Sequence, residues 1–389
     1  MELNKLSQKI KVIYLYKDFD IYNGLIETFL ILSKKKELLP FDFEVCVFRN
    51  KTNEHAKIFK ANGGILVNLK SLWGSNPMII FELYKLFRDS RPDIVQTFIL
   101  KPNLFGVIAA VLAKVPVIIA TDLTLKDQAP TRLRRLRDRL LYKFYIAVAN
   151  KADHVICISE AIQKELKGLG IKVGVSVIPP PIDVDAMESH FMKLESGLGK
   201  PQGEVTIGIV ARLSEEKRHV DLFEAFAFLL KRFTNIKLLI VGDGPLRSQL
   251  EALARRLEIG DKAKFVGFQK DVHRYLSIMD IFVLPSRTEG AGIAIMEAML
   301  WGLPVVASRV GGIPEIVDEQ VAGLLFDPGD VRQLISALTQ LIENPEKRKI
   351  FGENGRKKVY RSFHPDKFID SHYQLYRALL NQKAVSAFR

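Results

Sequence analysis

The most constraining feature of this chain is the alternation of short apolar runs with longer amphipathic stretches along almost its whole length. The runs are rich in valine and isoleucine and do not alternate strictly with polar residues, which is typical of strands buried on both faces of a parallel sheet. Helical patterns lie between them, for example over 220–233 and 331–342. Strands that alternate with helices predict βαβ units. The predicted fold class is therefore α/β.

The predicted strands fall into two sets, at 10–16, 43–48, 94–98, 117–120, 155–158 and 175–178, and then at 205–210, 237–241, 263–266, 281–284 and 304–307. Three prolines at 179–181 follow the first set and cannot continue a strand or a helix. A chain of 389 residues is also too long for one compact core. The sequence predicts two Rossmann-like, doubly wound domains over 1–190 and 200–364, with a final helix at 365–389 that crosses back to the first domain.

Composition narrows the class of protein. With 48% hydrophobic and 26% charged residues, the chain is an ordinary globular protein and is not disordered as a whole. Cys46 and Cys157 lie in apolar runs, which indicates packed thiols in a reducing compartment and excludes zinc ribbons and iron–sulfur clusters. The apolar stretch 104–120 contains Lys114 and Pro116, so it predicts a helix, a turn and a strand rather than a membrane span. We expect a cytoplasmic protein.

The formal net charge of +13 leaves several classes of anionic partner open, namely nucleic acid, a membrane surface or a phosphorylated small molecule. The basic stretch 131–145 holds apolar residues at helical spacing between its arginines, namely Leu133, Leu136, Leu140, Leu141 and Phe144. Such a helix either packs its apolar face into the core or lies on an anionic membrane surface. No aromatic stacking motif or DNA-binding module is found, so no nucleic-acid partner is expected.

The segment 280–299 carries the strongest chemical signal. A strand is predicted to end at Leu284, a loop with Gly290 and Gly292 follows, and a helix begins near Ile293. Glycines let the backbone approach a ligand closely, and the N–H groups at a helix start suit a phosphate. This segment therefore predicts a phosphate-binding loop.

Two glutamates accompany that loop. Glu289 lies within it and Glu297 lies eight positions later, on the predicted helix. Carboxylates repel phosphate but accept hydrogen bonds from sugar hydroxyls, so the pair fits a ligand with sugars on either side of a diphosphate. The alternative is a plain strand–loop–helix in which a glutamate favours the positive end of the helix.

Two cations occupy the corresponding place in the first βα unit of the second half. Arg212 follows the predicted strand 205–210, and Lys217 lies near the start of the next helix. Ligands bind at the carboxyl ends of the strands in open α/β sheets, and an arginine with a lysine can neutralise a diphosphate there. Taken singly, either could equally be a solvated surface charge.

The spacing Glu–x7–Glu in this context resembles the retaining glycosyltransferases of family 4, which have the GT-B fold of two Rossmann-like domains facing across a cleft. Further segments resemble landmarks of that family in the same order, namely 210–213 with Lys217, 241–245, 265–268 and 311–315. The resemblance covers most of the chain and is strongest over 205–327.

The resemblance implies a role for each matching side chain. It implies that Arg212 and Lys217 bind the diphosphate of a nucleotide-sugar donor. It also implies that Glu297 binds the ribose hydroxyls and that Glu289 acts on the transferred sugar. Like other members of this fold class, the chain would use no metal and no cofactor.

The resemblance also implies backbone contacts with the donor. The amides of the loop and helix start would bind the sugar and the phosphates, and they belong to Gly290, Ala291, Gly292 and Ile293. The loop with Gly267 and Phe268 would lie by the nucleobase.

The first half departs from the family pattern. Asn23–Gly24 stands where many members have two glycines, and we expect Gly24 to open a helix whose amides contact donor or acceptor. The stretch 92–98 has no histidine where the family has one. Asp122 stands at a second such position and either replaces the histidine in orienting the sugar or caps a loop.

The predicted function is a retaining, metal-independent glycosyltransferase of polysaccharide or cell-envelope biosynthesis. It would move a sugar from a UDP or GDP donor to a glycan or lipid-linked acceptor, in the cytoplasm or at the inner membrane face, with 131–145 on the anionic surface. The acidic pairs Asp18/Asp20 and Asp183/Asp185 are interpreted as loop acids rather than metal ligands. Two alternatives stay open, a sugar-nucleotide epimerase on the same fold and a non-catalytic protein that binds nucleotide sugars or nucleic acid.

Overall fold

A computed structural model describes residues 9–19, 24–49, 53–69, 78–122, 142–187 and 203–387. The chain divides into two units, the first formed by Met1–Pro181 with Pro365–Arg389 and the second by Ile182–His364. Each unit holds one sheet, of seven strands in the first and six in the second. All paired strands are parallel. The prediction of an α/β fold with two parallel sheets is confirmed.

The sheet of the first unit has the order β3-β2-β1-β4-β5-β6-β7. Its strands are β1 (Ile10–Asp18), β2 (Phe41–Arg49), β3 (Ile65–Asn68), β4 (Ile94–Phe98), β5 (Val117–Asp122), β6 (His154–Cys157) and β7 (Gly174–Val177). Its helices include α1 (Gly24–Lys34), α2 (Glu54–Ala61), α3 (Met78–Ser90), α4 (Leu100–Leu112) and α5 (Glu160–Gly168). Residues 142–149 are also helical.

Helices cover both faces of this sheet because successive side chains of a strand point to opposite faces. Along β1, Ile13 and Leu15 enter a core shared with α3 and α4. Val12 and Tyr14 enter a second core, shared with α1 and α2. The Val- and Ile-rich runs without strict alternation are explained by this burial on two sides.

The sheet of the second unit has the order β10-β9-β8-β11-β12-β13. Its strands are β8 (Val205–Val210), β9 (Ile236–Val241), β10 (Ala263–Gly267), β11 (Ile281–Leu284), β12 (Val305–Ser308) and β13 (Gly323–Phe326). Its helices include α6 (His219–Leu230), α7 (Arg247–Arg256), α8 (His273–Leu276), α9 (Ile293–Leu300), α10 (Ile313–Ile316), α11 (Val331–Glu343) and α12 (Pro345–Phe363). In both sheets the strand order reverses next to the first strand of the unit. The reversal lies between β1 and β4 in the first sheet and between β8 and β11 in the second.

Helix α13 (Pro365–Ala387) packs on the first unit, on the same side of the sheet as α1 and α2. Tyr376 is fully buried, its hydroxyl lies 3.1 Å from that of Tyr14, and it donates to Oε1 of Gln96. Nε2 of His372 lies 3.5 Å from Nε2 of Gln96, and its Nδ1 lies 3.0 Å from the carbonyl of Phe368. A buried polar network of this kind specifies one docking position because any other would leave its groups unpaired.

His372 makes the stability of the protein depend on pH. Burial lowers the pKa of His372 from 6.5 to about 4. The unfolded chain therefore takes up this proton first as the pH falls below 6.5, and stability is lost from there down to about pH 4. We expect a loss of about 3 kcal/mol from this group, and His372→Gln should flatten the curve by that amount. Urea unfolding at several pH values measures it, and parallel curves for parent and variant would contradict it.

Candidate active site

The predicted site residues gather where β8 and β11 lie side by side. Strand β8 pairs with β9 on one side and with β11 on the other, so the order of the sheet reverses here. Arg212 and Lys217 follow β8, and Ser286 and Glu289 follow β11. Ligands of open α/β sheets bind at such a reversal, outside the carboxyl ends of the strands.

A charged cluster joins the two loops. The ammonium of Lys217 forms an ion pair with Oε1 of Glu289. The hydroxyl of Ser286 donates to the same oxygen at 2.8 Å. Oε2 of Glu289 accepts no hydrogen bond from the residues that the structure describes. The side chains of Lys217 and Glu289 are 21% and 11% exposed, so their charges are screened less than those of surface pairs. The arrangement leaves one carboxylate oxygen for a ligand.

Backbone contacts hold the two loops together. The N–H of Arg287 donates to the carbonyl of Glu216 at 2.7 Å. The hydroxyl of Ser214 donates to Oε1 of Glu216 at 2.6 Å, which fixes the 3-10 turn Glu215–Lys217. Arg218 has a φ of +49°, and its guanidinium donates to Asp221 at 2.8 Å. The turn that carries Lys217 is therefore fixed by hydrogen bonds of the residues on both sides of it.

The glycines of the 241–245 landmark are explained by close packing on the Arg212 loop. A Cβ on Gly242 would lie 2.0 Å from the carbonyl oxygen of Ala211, and one on Gly244 would lie 2.4 Å from that of Leu213. The N–H of Leu213 donates to the carbonyl of Asp243 at 3.0 Å. These two glycines support the loop that carries Arg212, whose own side chain is exposed.

Gly292 forms the turn into α9. Its φ of +56° lies in the left-handed region that favours glycine. Helix α9 begins at Ile293, as predicted. The N–H groups of Ile295 and Met296 donate to the carbonyl of Gly292, whereas those of Ile293 and Ala294 have no backbone acceptor among the described residues. Glu297 is half-buried one turn later, on the same face as Ile293. A ligand at this helix start would reach both the amides and that carboxylate.

The loop predicted to lie by a nucleobase leaves the edge strand β10. Gly267 has a φ of +74°, and its carbonyl accepts the N–H of Gly242 at 2.8 Å. Phe268 follows with 68% of its surface exposed. Its ring is available for stacking against a planar group.

In the first unit, Asp122 lies at the end of β5 and is only 7% exposed. The hydroxyl of Tyr145 donates to Oδ2 of Asp122 at 2.9 Å and accepts from Nδ2 of Asn103 at 3.2 Å. Burial, reinforced by the charge of Asp122, raises the pKa of the Tyr145 hydroxyl. Asp122 is thus oriented by a buried network that the sequence did not predict. Gly24 is the first described residue of helix α1.

The basic stretch 131–145 is described only over 142–145. Its arginines at 132, 134, 135, 137 and 139 lie outside the described residues. Phe144 was expected on the apolar face but is 54% exposed, whereas Tyr145 is 2% exposed. Phe144 therefore does not pack into the core, because the helix turns its neighbour Tyr145 inward to meet Asp122.

Sequence reasoning also missed His219, the first residue of α6. It is 1% exposed, and neither ring nitrogen has a hydrogen-bond partner among the described residues. Burial, with a contribution from the charge of Lys217, lowers its pKa from 6.5 to about 4. His219 is therefore neutral near pH 7 and adds no charge beside Lys217.

Elsewhere, Oδ1 of Asp183 accepts the N–H of Ala186 at 3.0 Å, which fits a loop acid, while Asp20 lies outside the described residues. Over 9–387, apart from the gaps given above, no three or more His, Cys, Asp and Glu side chains are grouped so that they could hold a metal ion. None of the described helices has the length and apolar composition needed to cross a bilayer.

Ser286 offers a test of the cluster. Ser286→Ala removes the neutral donor on Oε1 of Glu289, and a hydrogen bond to a charged group contributes about 1.5–3 kcal/mol. If Glu289 acts on the substrate, we expect turnover to fall at least about tenfold while binding of free nucleoside diphosphate stays nearly unchanged. Ser308→Ala is the matched control, since Ser308 is equally buried but donates to the carbonyl of Ser286. Turnover of Ser286→Ala like that of the parent would contradict a positioning role.

Two family models match the chain. The model described as Glycosyltransferase Family 4 matches residues 35–186, and the model described as Glycosyl transferases group 1 matches residues 192–358. The first match lies almost wholly in the first unit and the second in the second unit. The chain belongs to the glycosyltransferases of family 4 and is an enzyme of that class.

Several characterised proteins are similar over long stretches. An N-acetyl-alpha-D-glucosaminyl L-malate synthase of Bacillus anthracis is 31% identical over 188 residues, 48% of this chain and 49% of that protein. A UDP-Gal:alpha-D-GlcNAc-diphosphoundecaprenol alpha-1,3-galactosyltransferase of Escherichia coli is 28% identical over 313 residues, 76% of this chain and 78% of that protein. The capsular polysaccharide biosynthesis glycosyltransferase CapM of Staphylococcus aureus is 24% identical over 369 residues, 92% of this chain and 91% of that protein. The chain thus spans about half the length of the first relative and most of the other two.

Solved structures show the same fold. HepE of Anabaena, determined with UDP, superposes with a TM-score of 0.79 at 21% identity, over 95% of this chain and 100% of that chain. Sucrose-phosphate synthase of Thermosynechococcus elongatus also gives 0.79 at 21% identity, over 96% of this chain and 100% of that chain. At this level of identity the likeness shows the GT-B fold and nothing finer.

Proposed function

We propose that this enzyme transfers a sugar from a nucleoside-diphosphate donor to a hydroxyl of a glycan or lipid-linked acceptor. The observation that carries the proposal is the cluster of Lys217, Ser286 and Glu289 beside Arg212 and the start of α9. It combines cations and amides for a diphosphate with a carboxylate for sugar hydroxyls. A named relative that acts on a diphosphoundecaprenol-linked sugar supports the lipid-linked class of acceptor.

The donor would bind at the carboxyl edge of the second sheet. Arg212 and Lys217 would bind the diphosphate with the amides of residues 290–293, Glu297 the ribose and Glu289 the sugar. Gly267 and Phe268 would contact the nucleobase. Uridine is the first base to test, because HepE is described in complex with UDP and with UDP-glucose.

The proposed chemistry is front-face substitution with retention at the anomeric carbon. The bond from that carbon to the diphosphate breaks as the acceptor oxygen bonds to the same face, and the acceptor proton ends on the diphosphate. The enzyme would contribute positioning and stabilisation of the leaving charge. The two cations support a mechanism without a metal cofactor.

In the first unit, Asp122 would orient the sugar, and Gly24 would open the α1 amides to substrate. The stretch 131–145 would meet an anionic membrane at the cytoplasmic face.

A donor screen tests this function. At 100 times its Kd, a true donor should raise the free energy of unfolding by about 2.7 kcal/mol, with or without EDTA. With a donor and a panel of acceptors, NMR of the product should show the anomeric configuration of the donor. A new nucleotide sugar formed without acceptor would indicate an epimerase. Binding without any turnover would indicate a non-catalytic protein, and inversion would contradict retention.

A further inference from the structure

Exposed apolar side chains are concentrated on α3 and α4. Met78 and Phe81 on α3 are 61% and 63% exposed, and Val111 and Leu112 on α4 are 43% and 57% exposed. These are four of the fourteen large apolar side chains that are exposed in the described part of the chain. Such residues are normally scattered singly over a surface. Their grouping on two helices that pack together therefore indicates an interaction surface.

The folded unit does not need this face for its core. Ile79, Leu83 and Phe87 are the buried residues of α3 and anchor it to the sheet. On the outside, Phe81 and Leu112 line one open pocket of about 540 Å³ together with Ile80 and Tyr84. Phe81 of α3 and Leu112 of α4 thus meet in one apolar pocket.

Cations border this surface. Lys85 and Arg88 are exposed and follow Phe81 by four and seven positions, on the same face of α3. Lys114 is exposed two positions after Leu112. The guanidinium of Arg88 lies 5.8 Å from the ring centre of Tyr84, beside the pocket. Of the acidic residues of α3, Asp89 is exposed and Glu82 is half-buried.

The positive charge around this surface distinguishes between two possible partners, a lipid bilayer and a second copy of the chain. In a two-fold symmetric dimer the same patch meets itself, so the basic borders would face each other and repel. Anionic lipid headgroups attract the same cations, while the apolar side chains enter the boundary with the acyl chains. Exposed aromatic and aliphatic residues bordered by lysine and arginine fit an anionic bilayer better.

We propose that the outer face of α3 and α4, with Phe81 and Leu112 inserted, docks this enzyme on an anionic membrane surface. This deepens the proposed function, on which it rests for the lipid-linked acceptor, by naming the face through which the first unit reaches the membrane. It concerns residues distinct from the basic stretch 131–145.

Vesicle flotation tests the surface without any need for turnover. We expect the full chain to float with phosphatidylglycerol-containing vesicles and much less with pure phosphatidylcholine, because its cations need anionic headgroups. The double variant Phe81→Ser, Leu112→Ser should lower partitioning at least about tenfold. Phe228→Ser is the matched control, since this phenylalanine is also 56% exposed but lies on α6 of the second unit. It should float like the parent.

A second variant distinguishes loss of membrane binding from loss of folding. Lys85→Gln, Arg88→Gln changes only exposed side chains and should weaken flotation on anionic vesicles, as should high salt. Sugar transfer to a water-soluble acceptor should persist in both variants, so loss of flotation is separable from failure of the proposed function.

Three results would overturn the docking proposal. One is flotation of the α3–α4 variants like the parent, with loss only when Arg134, Arg135 and Arg137 are changed to glutamine. Another is a parent that does not float with anionic vesicles. The third is a parent dimer in sedimentation velocity that Phe81→Ser dissociates, which would assign the face to a second copy.

Discussion

Replacing Arg212 or Lys217 by alanine is expected to lower kcat by about 10²–10³-fold, as loss of one preorganised group that stabilises developing charge does in other enzymes. Both cations lie beyond the end of β8, at the reversal of the second sheet. Their charge would act on the departing diphosphate. Steady-state kinetics with the donor found in the screen measures this effect.

Lys217 should differ from Arg212 in one respect, because Lys217 also pairs with Glu289. The variants Lys217→Ala and Glu289→Gln should therefore be non-additive when combined, whereas Arg212→Ala and Glu289→Gln should combine more nearly additively. Arg232→Ala is the matched control for removing a cation, since Arg232 forms an exposed ion pair with Glu343 and exposed pairs contribute about 0–1 kcal/mol. Turnover within about twofold of the parent in Arg212→Ala or Lys217→Ala would remove that residue from the mechanism.

The two glutamates should separate binding from transfer. Glu289→Gln should leave the Kd of free nucleoside diphosphate nearly unchanged and lower kcat by about 10²-fold, because its proposed partner is the sugar. Glu297→Gln should raise that Kd at least about tenfold, since a hydrogen bond to a charged group contributes about 1.5–3 kcal/mol. Calorimetry with the free nucleoside diphosphate and kinetics with the donor measure the two effects.

Each glutamate variant is the control for the other, because the chemical change is the same and the two positions are eight residues apart. The thermal stability of both should be checked first, since Glu289→Gln leaves Lys217 without its carboxylate partner. Equal losses of nucleoside diphosphate binding in the two variants would contradict the assignment of Glu289 to the sugar and Glu297 to the ribose.

The central strands were predictable because their apolar runs are long and buried on both faces. The predictions for 94–98, 205–210 and 281–284 coincide with β4, β8 and β11. Strands β3 and β13, at the edges of the two sheets, were not predicted. In β3 every residue is exposed or only partly buried, so it carries no strong apolar signal.

In the candidate active site, the charged residues and glycines could be predicted from the sequence, whereas the neutral hydroxyl groups could not. The spacing from Glu289 to Glu297 and the cations after β8 were visible in the sequence. Ser286 was not singled out, although its position directly after Pro285 at a strand end was a usable clue. Tyr145 was beyond prediction, because its contact with Asp122 spans 23 positions and depends on how the intervening chain folds back.

A crystal structure of the enzyme with a nucleotide sugar, or with its nucleoside diphosphate and the free sugar, tests the donor site most directly. It should show the diphosphate within hydrogen-bond distance of Arg212, Lys217 and the amides at the start of α9, with a sugar hydroxyl on Oε2 of Glu289. A diphosphate bound away from the carboxyl ends of β8 and β11, or a sugar that does not contact Glu289, would contradict the proposed site.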